Sequence, residues 1–159
     1  MSDQTATLQQ QQAPVLTDEH KLLDAFVGKW KVEGQNKEGA PVAPNARVTG
    51  EETYEKLPGD FFLVSRWEHL FDGGAHIGAG TVGYDPIKHT YTIQNVDNMG
   101  YARTYTGGLN NGKWLFTGEF ERVTIEFLDG GRSKTESWDV LNDNSDWLPL
   151  CEMRATKIG

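Results

Sequence analysis

The chain has 159 residues, a formal charge of −8 and 24% charged side chains, a length that suits one domain able to bury most of its unfolded surface. No run of Lys or Arg offers the basic patch that a nucleic-acid backbone requires, so a nucleic-acid partner is excluded. No stretch has the 18 or so consecutive apolar residues of a membrane span. Gly is abundant at 18 residues and the aromatics make up 11%, which favours turns and strands over a helical bundle. Cys151 is the one cysteine and cannot form an internal disulfide, and the N-terminus shows neither a basic region nor an apolar run. A cytoplasmic location is therefore expected.

Residues 1–16 are polar, Gln-rich at Gln9 to Gln12, and predict a flexible tail, leaving 17–159 as a single domain. Thr17-Asp18-Glu19-His20 reads as a helix start, with an oxygen-bearing cap and acidic residues in the first turn. Leu22, Leu23 and Phe26 supply its apolar stripe, and the helix is expected to lie across one mouth of a barrel, with His20 solvated. Gly28-Lys29-Trp30 then opens the first strand, Trp30 and Val32 facing one way at a period of 2. Gln35 to Asn45 carries Gly39, Pro41 and Pro44, and is read as a loop of about eleven residues that serves either as a lid or as a disordered insertion.

Strands are predicted over Arg47 to Leu57, Phe61 to Phe71, His76 to Tyr84, Thr90 to Asp97, Tyr101 to Leu109, Lys113 to Glu121, Val123 to Leu128, Ser133 to Leu141 and Leu148 to Lys157. Turn signals separate most of them: Pro58-Gly59-Asp60, Asp72-Gly73-Gly74, Asp85-Pro86, Asn98-Met99-Gly100, Asn110-Asn111-Gly112, Asp129-Gly130-Gly131 and Asn142-Asp143-Asn144. About ten short strands in hairpin succession, with no alternating helices, predict an all-β fold: an up-and-down antiparallel β-barrel with a short N-terminal helix. Pairing Phe71 with His76 places His76, Gly78, Gly80, Val82 and Tyr84 on the inner face with Trp67 and His69. Inward glycines either leave room for a ligand or allow close approach of other groups.

The short helix, Gly28-Lys29-Trp30, the meander and Arg154 on the last strand resemble the lipocalin and fatty-acid-binding barrels, the calycin superfamily. More closely, Leu57-Pro58-Gly59-Asp60-Phe61, Gly83-Tyr84-Asp85-Pro86, and Tyr91 followed by Asp97-Asn98-Met99-Gly100 resemble a bacterial family of lipocalin-like domains of unknown function. The resemblance spans Leu22 to Lys157. It implies that Arg154 packs over Trp30 and shuts one end of the barrel, a structural role for both. Related ten-stranded barrels carry heme on a late-strand His, but no His follows His89 here, so no cofactor is expected.

The inner face supplies the functional candidates. Tyr54, Trp67, His69, His76, Tyr91, Tyr105 and Trp138 combine apolar bulk with polar tips, as do small-molecule pockets, and Trp114 and Phe116 add bulk. Asn95 and Arg103 are candidate polar anchors. His69 and His76 on one sheet face, with Glu52, Asp97 or Glu152, match no metal-ligand spacing, so no metal site is expected. Gly78-x-Gly80-x-x-Gly83 lies within a strand and not at a strand-to-helix turn, which disqualifies it as a dinucleotide fingerprint. Cys151 has no base beside it and reads as an inert thiol. Two functions follow: a carrier or sensor enclosing a small hydrophobic or aromatic molecule, or an isomerase, cyclase or hydrolase using the same cavity with His69 as acid or base. Self-association into a homodimer through a sheet edge or face is a further expectation.

Overall fold

The computed structural model describes residues 13–159, so most of the expected tail lies outside the described residues. A four-residue helix α1 (Asp18–Lys21) runs into a 3-10 segment, Leu22–Phe26, and ten strands follow: β1 (Gly28–Asn36), β2 (Arg47–Lys56), β3 (Phe62–Phe71), β4 (Gly74–Asp85), β5 (Thr90–Asp97), β6 (Ala102–Asn110), β7 (Lys113–Thr117), β8 (Glu121–Leu128), β9 (Ser133–Leu141) and β10 (Trp147–Lys157). Every strand pairs with its neighbour in the chain, and β1 pairs with β10, closing an antiparallel up-and-down barrel. Closure satisfies the backbone groups that an open sheet would leave at its edges, so among the described residues the barrel leaves no open edge strand.

The alternation of side chains sets what the barrel encloses. Trp30, Val32, Val48, Leu63, Val82, Phe116, Val123 and Ile125 point inward and are buried, while their charged neighbours in sequence face out. Gly28 begins β1 at φ 138°, and a Cβ there would lie 2.5 Å from Lys157 Cε and 2.8 Å from the Gly159 carbonyl. A side chain at this position would be strained and crowded at once, which accounts for glycine before Lys29-Trp30.

One end of the barrel is stoppered. Thr17 and His20 form a reciprocal cap, with His20 Nδ1 2.9 Å from Thr17 Oγ1 and accepting from the Thr17 N–H at 3.0 Å. This turns His20 inward, edge-on to Phe61 and Tyr84, so it is buried and not solvated as expected. Leu23 and Phe26 enter the barrel, where Phe26 meets Tyr54, Trp114 and Phe127 at ring distances of 5.0 to 5.6 Å. Each such residue contributes about 1.5–3 kcal/mol on burial. The Trp30 indole N–H donates to the Phe26 carbonyl at 2.9 Å, and the Tyr91 hydroxyl donates to the Glu19 carbonyl at 2.7 Å, so strands and plug are tied by polar contacts as well.

Three expectations change in detail. His69, not Phe71, stands opposite His76 in the β3–β4 pairing, and Phe71 stands opposite Gly74. The shift is by two residues, so every inward assignment survives it. β7 stops at Thr117 because Gly118-Glu119-Phe120 makes a tight turn, closed by the Gly118 N–H donating to the Glu121 carbonyl at 2.8 Å. Arg154 stands on the outer wall, bonded to Asp129 at 2.9 Å and Ser133 at 3.2 Å. The cations over the Trp30 ring are Lys134 at 5.3 Å and Lys157 at 5.4 Å.

Candidate functional site

Away from the plug the barrel is hollow. A cavity of about 410 Å³ runs inward among Trp67, His69, His76, Ile93, Tyr105, Val123, Ile125, Trp138 and Met153, and reaches Tyr54, Ser65, Glu52 and Glu136. The loop between β1 and β2 contributes Ala40, Pro41 and Val42 to the lining. That loop is held by the Asn36 side-chain amide, which donates to the carbonyls of Val42 at 3.3 Å and Ala43 at 3.1 Å.

The inward glycines of β4 accommodate the cavity's own wall. A Cβ on Gly78 would lie 2.1 Å from Trp67 Cζ2, and one on Gly80 would lie 2.1 Å from Asn95 Oδ1. The indole and the carboxamide therefore rest flat on backbone, and close approach is the reason for both glycines.

Trp67 is held further by a chain of polar contacts. Its Nε1–H donates to His76 Nδ1 at 3.3 Å, and His76 Nε2 lies 3.1 Å from Asp97 Oδ2. A ring that accepts at Nδ1 carries its proton on Nε2, so neutral His76 donates to Asp97. Burial opposes the Asp97 charge, but the His76 contact and the backbone N–H groups of Tyr101 and Met99 outweigh it and hold the carboxyl below its usual range. The Arg103 guanidinium pairs with Glu121 and lies 4.1 Å over the Tyr101 ring, which commits much of its charge before any ligand arrives.

An ionic cluster borders the inner end. Lys134 is fully buried, with Nζ 3.4 Å from Glu52 Oε1 and 3.5 Å from Glu136 Oε2. It lies behind the two carboxylates, 5.1 Å over the Tyr54 ring, and takes no part in the cavity lining. His69 Nε2 approaches Glu52 Oε2 at 3.7 Å. Burial opposes every charge in the cluster. It opposes the Lys134 ammonium, yet Glu136 and Glu52 outweigh it and raise that pKa. Glu52 is held well below the usual carboxylate range by Lys134 and His69 in spite of burial. Burial together with the Glu52 charge pushes Glu136 up to about 8 against the pull of Lys134. At neutral pH the cluster thus holds one cation, one anion and one neutral acid, a balanced charge.

Of the residues expected to bind a ligand, Tyr54, Trp67, His69, His76, Asn95, Arg103, Tyr105 and Trp138 all border this cavity. Tyr91 does not: it packs beneath the plug against Tyr84 at 4.9 Å and Trp114 at 4.8 Å. Trp114 and Phe116 fill that same end. Lys134 and Glu136 escaped the sequence reading, although counting back by twos from Trp138 on β9 puts both on its face. Cys151 borders the cavity, and burial and the Glu136, Glu152 and Glu52 charges push its thiol up to about 12, far from the thiolate that reactivity requires. Among the described residues no three His, Cys, Asp or Glu side chains converge as a metal site, and no helix is long and apolar enough to cross a membrane.

The molecule is thus a closed ten-stranded barrel, stoppered at one end and hollow toward the other. Residues 16–139 match the family described as "Protein of unknown function (DUF1579)", and the chain belongs to that family. Among solved structures it is similar to Rv2717c from M. tuberculosis, with a TM-score of 0.66 and 12% identity over 91% of this chain and 100% of the other. It is also similar to the S-type phycobiliprotein lyase CPES from Guillardia theta, with a TM-score of 0.63 and 10% identity over 92% of this chain and 99% of the other. At these identities the likeness is one of fold. No curated protein matches the chain.

Proposed function

We propose that residues 17–159 act as one binding domain, a cytoplasmic carrier or sensor that encloses a small, largely apolar or aromatic molecule, in the manner of the calycin barrels. The observation that carries this reading is the cavity of about 410 Å³, a size suited to a small organic ligand and walled by aromatic rings with a few fixed polar groups. Trp67, Tyr105 and Trp138 supply flat contact surface, and His69, His76, Asn95 and Arg103 supply orientation. The lyase among the structural neighbours adds support only through its shared architecture. Native mass spectrometry of gently purified protein tests the reading. A retained organic molecule, released on denaturation, is the expected result; protein that stays ligand-free and takes up no apolar probe would contradict it.

A second reading has one specific observation in its favour. His69 borders the cavity, and its Nε2, 3.7 Å from Glu52 Oε2, has no hydrogen-bond partner among the described residues, which suits a general acid or base. In an enzyme of this kind, turnover of the identified ligand would be lost in His69→Gln. Unchanged turnover in that variant would remove His69 from the chemistry.

A further inference from the structure

Four buried polar atoms have no hydrogen-bond partner among the described residues: Glu52 Oε2, Glu136 Oε2, His69 Nε2 and Asn95 Oδ1. All four residues border the one cavity, and Glu52 and Glu136 are each 4% exposed. Buried polar atoms are ordinarily paired, so four together at one boundary require an explanation. A purely structural ion cluster would close its own hydrogen bonds, and packed apolar side chains would serve stability as well. This cluster instead leaves one oxygen of each carboxylate with only a long ionic contact, Glu136 Oε2 at 3.5 Å from Lys134 Nζ and Glu52 Oε2 at 3.7 Å from His69 Nε2.

We propose that the molecule bound here presents a cationic, N–H-bearing group to Glu52 and Glu136. This rests on the reading of the barrel as a ligand-binding cavity. Two carboxylates facing one ammonium carry a net negative charge when both are ionised, and an unbalanced charge is costly in a dry interior. A proton on Glu136, whose pKa burial and the Glu52 charge raise to about 8, removes the imbalance in the free protein. A protonated nitrogen removes it too, and also supplies the donors that the bare oxygens lack. A neutral hydrocarbon would leave those oxygens without a donor, and an anion would meet two carboxylates. The flat aromatic wall and the acceptors at its inner end together describe an aromatic amine or amidine held by its cationic end.

The exchange is balanced: Glu136 loses its proton to solvent as the cation arrives. The titratable and charged groups around Glu136 are Lys134 on its own strand, Glu52 and Tyr54 from β2, His69 from β3 by way of Glu52, and Cys151 from β10. β8 faces it with Ile125 and Phe127, which carry no charge.

The test uses two flat dyes on the intact protein: proflavine, cationic with N–H donors, and Nile red, neutral. Proflavine affinity should rise about tenfold from pH 7 to pH 9 as Glu136 gives up its proton. Calorimetry of the unmutated protein at pH 7, repeated in buffers of differing ionisation enthalpy, should show close to one proton released per dye bound. Glu136→Gln should weaken proflavine about tenfold or more and flatten its pH dependence. Proflavine binding that ignores pH, releases no proton and tolerates the variant would overturn the inference. If Nile red still binds in that case, the ligand-binding reading stands and only the cationic head is wrong; if neither dye binds, both fall together.

Discussion

At the scale of single residues, the ionic cluster makes the sharpest stability predictions. Lys134 faces both Glu52 and Glu136, and removing it strands the Glu52 charge, whereas removing the Glu52 charge lets Glu136 ionise in its place. Lys134→Met should therefore cost about 3–5 kcal/mol in urea unfolding, Glu52→Gln distinctly less, and the double variant should recover much of the Lys134→Met loss. Glu136→Gln should be nearly neutral at pH 7, since a neutral amide replaces a neutral acid. The pH dependence separates these roles. Glu136 holds a proton in the folded state up to about pH 8 that the unfolded chain gives up at the ordinary carboxyl pKa. Folded protein binds more protons in that window, so Glu136 makes stability fall as pH rises from about 5 to 8. Urea titrations across this range should show that slope lessened in Glu136→Gln. An unaltered slope would show that Glu136 is ionised throughout. The cluster was only half legible in the sequence: Glu52 stands out on the face of Tyr54, but Lys134 and Glu136 look like solvated residues until Trp138 fixes the inner face of β9.

At the scale of elements, glycine placement decides where the wall can form. A methyl on Gly78 would collide with the Trp67 indole at 2.1 Å, whereas one on Gly108 would rest at 3.7 Å from Tyr91 Cδ2. Gly78→Ala should therefore destabilise by about 1–3 kcal/mol, while Gly108→Ala stays within about 0.5 kcal/mol. Equal thermal midpoints for the two would show that Trp67 does not lie against β4. The plug makes a parallel case. Phe26 inserts between Tyr54, Trp114 and Phe127, so Phe26→Ala should cost about 3–5 kcal/mol. Strands and most turns were plain from period-2 patterning and from Gly, Asn, Asp and Pro clusters. The β7–β8 turn was not, because Gly118-Glu119-Phe120 carries a single turn residue between two apolar runs. Arg154 was misplaced for another reason: the resemblance implied its partner, whereas the alternation along β10 turns it outward, opposite in sense to the buried Met153 and Ala155.

At the scale of the whole molecule, the aromatic content divides between two tasks. Tyr91, Trp114 and Phe116 fill the end closed by the helix, and Trp67, Tyr105 and Trp138 surround open volume. Sequence periodicity places both groups inside without saying which end is hollow, because that depends on how far the plug reaches into the barrel. The same closure that removes sheet edges gives the cavity a fixed wall, so a molecule entering it would meet preformed surfaces at little ordering cost.

The proposed function requires this cavity to take up a small apolar molecule. Ser65 is buried at its border, and a phenyl ring at that position would occupy part of the volume from a strand already fixed by pairing on both sides. The most direct measurement is a Nile red titration of the unmutated protein beside Ser65→Phe, with folding of the variant checked by its unfolding midpoint. Saturable one-to-one binding that weakens about tenfold or more in folded Ser65→Phe is the predicted result. No saturable binding, or equal affinity in the two proteins, would place any dye on the outer surface and contradict the account.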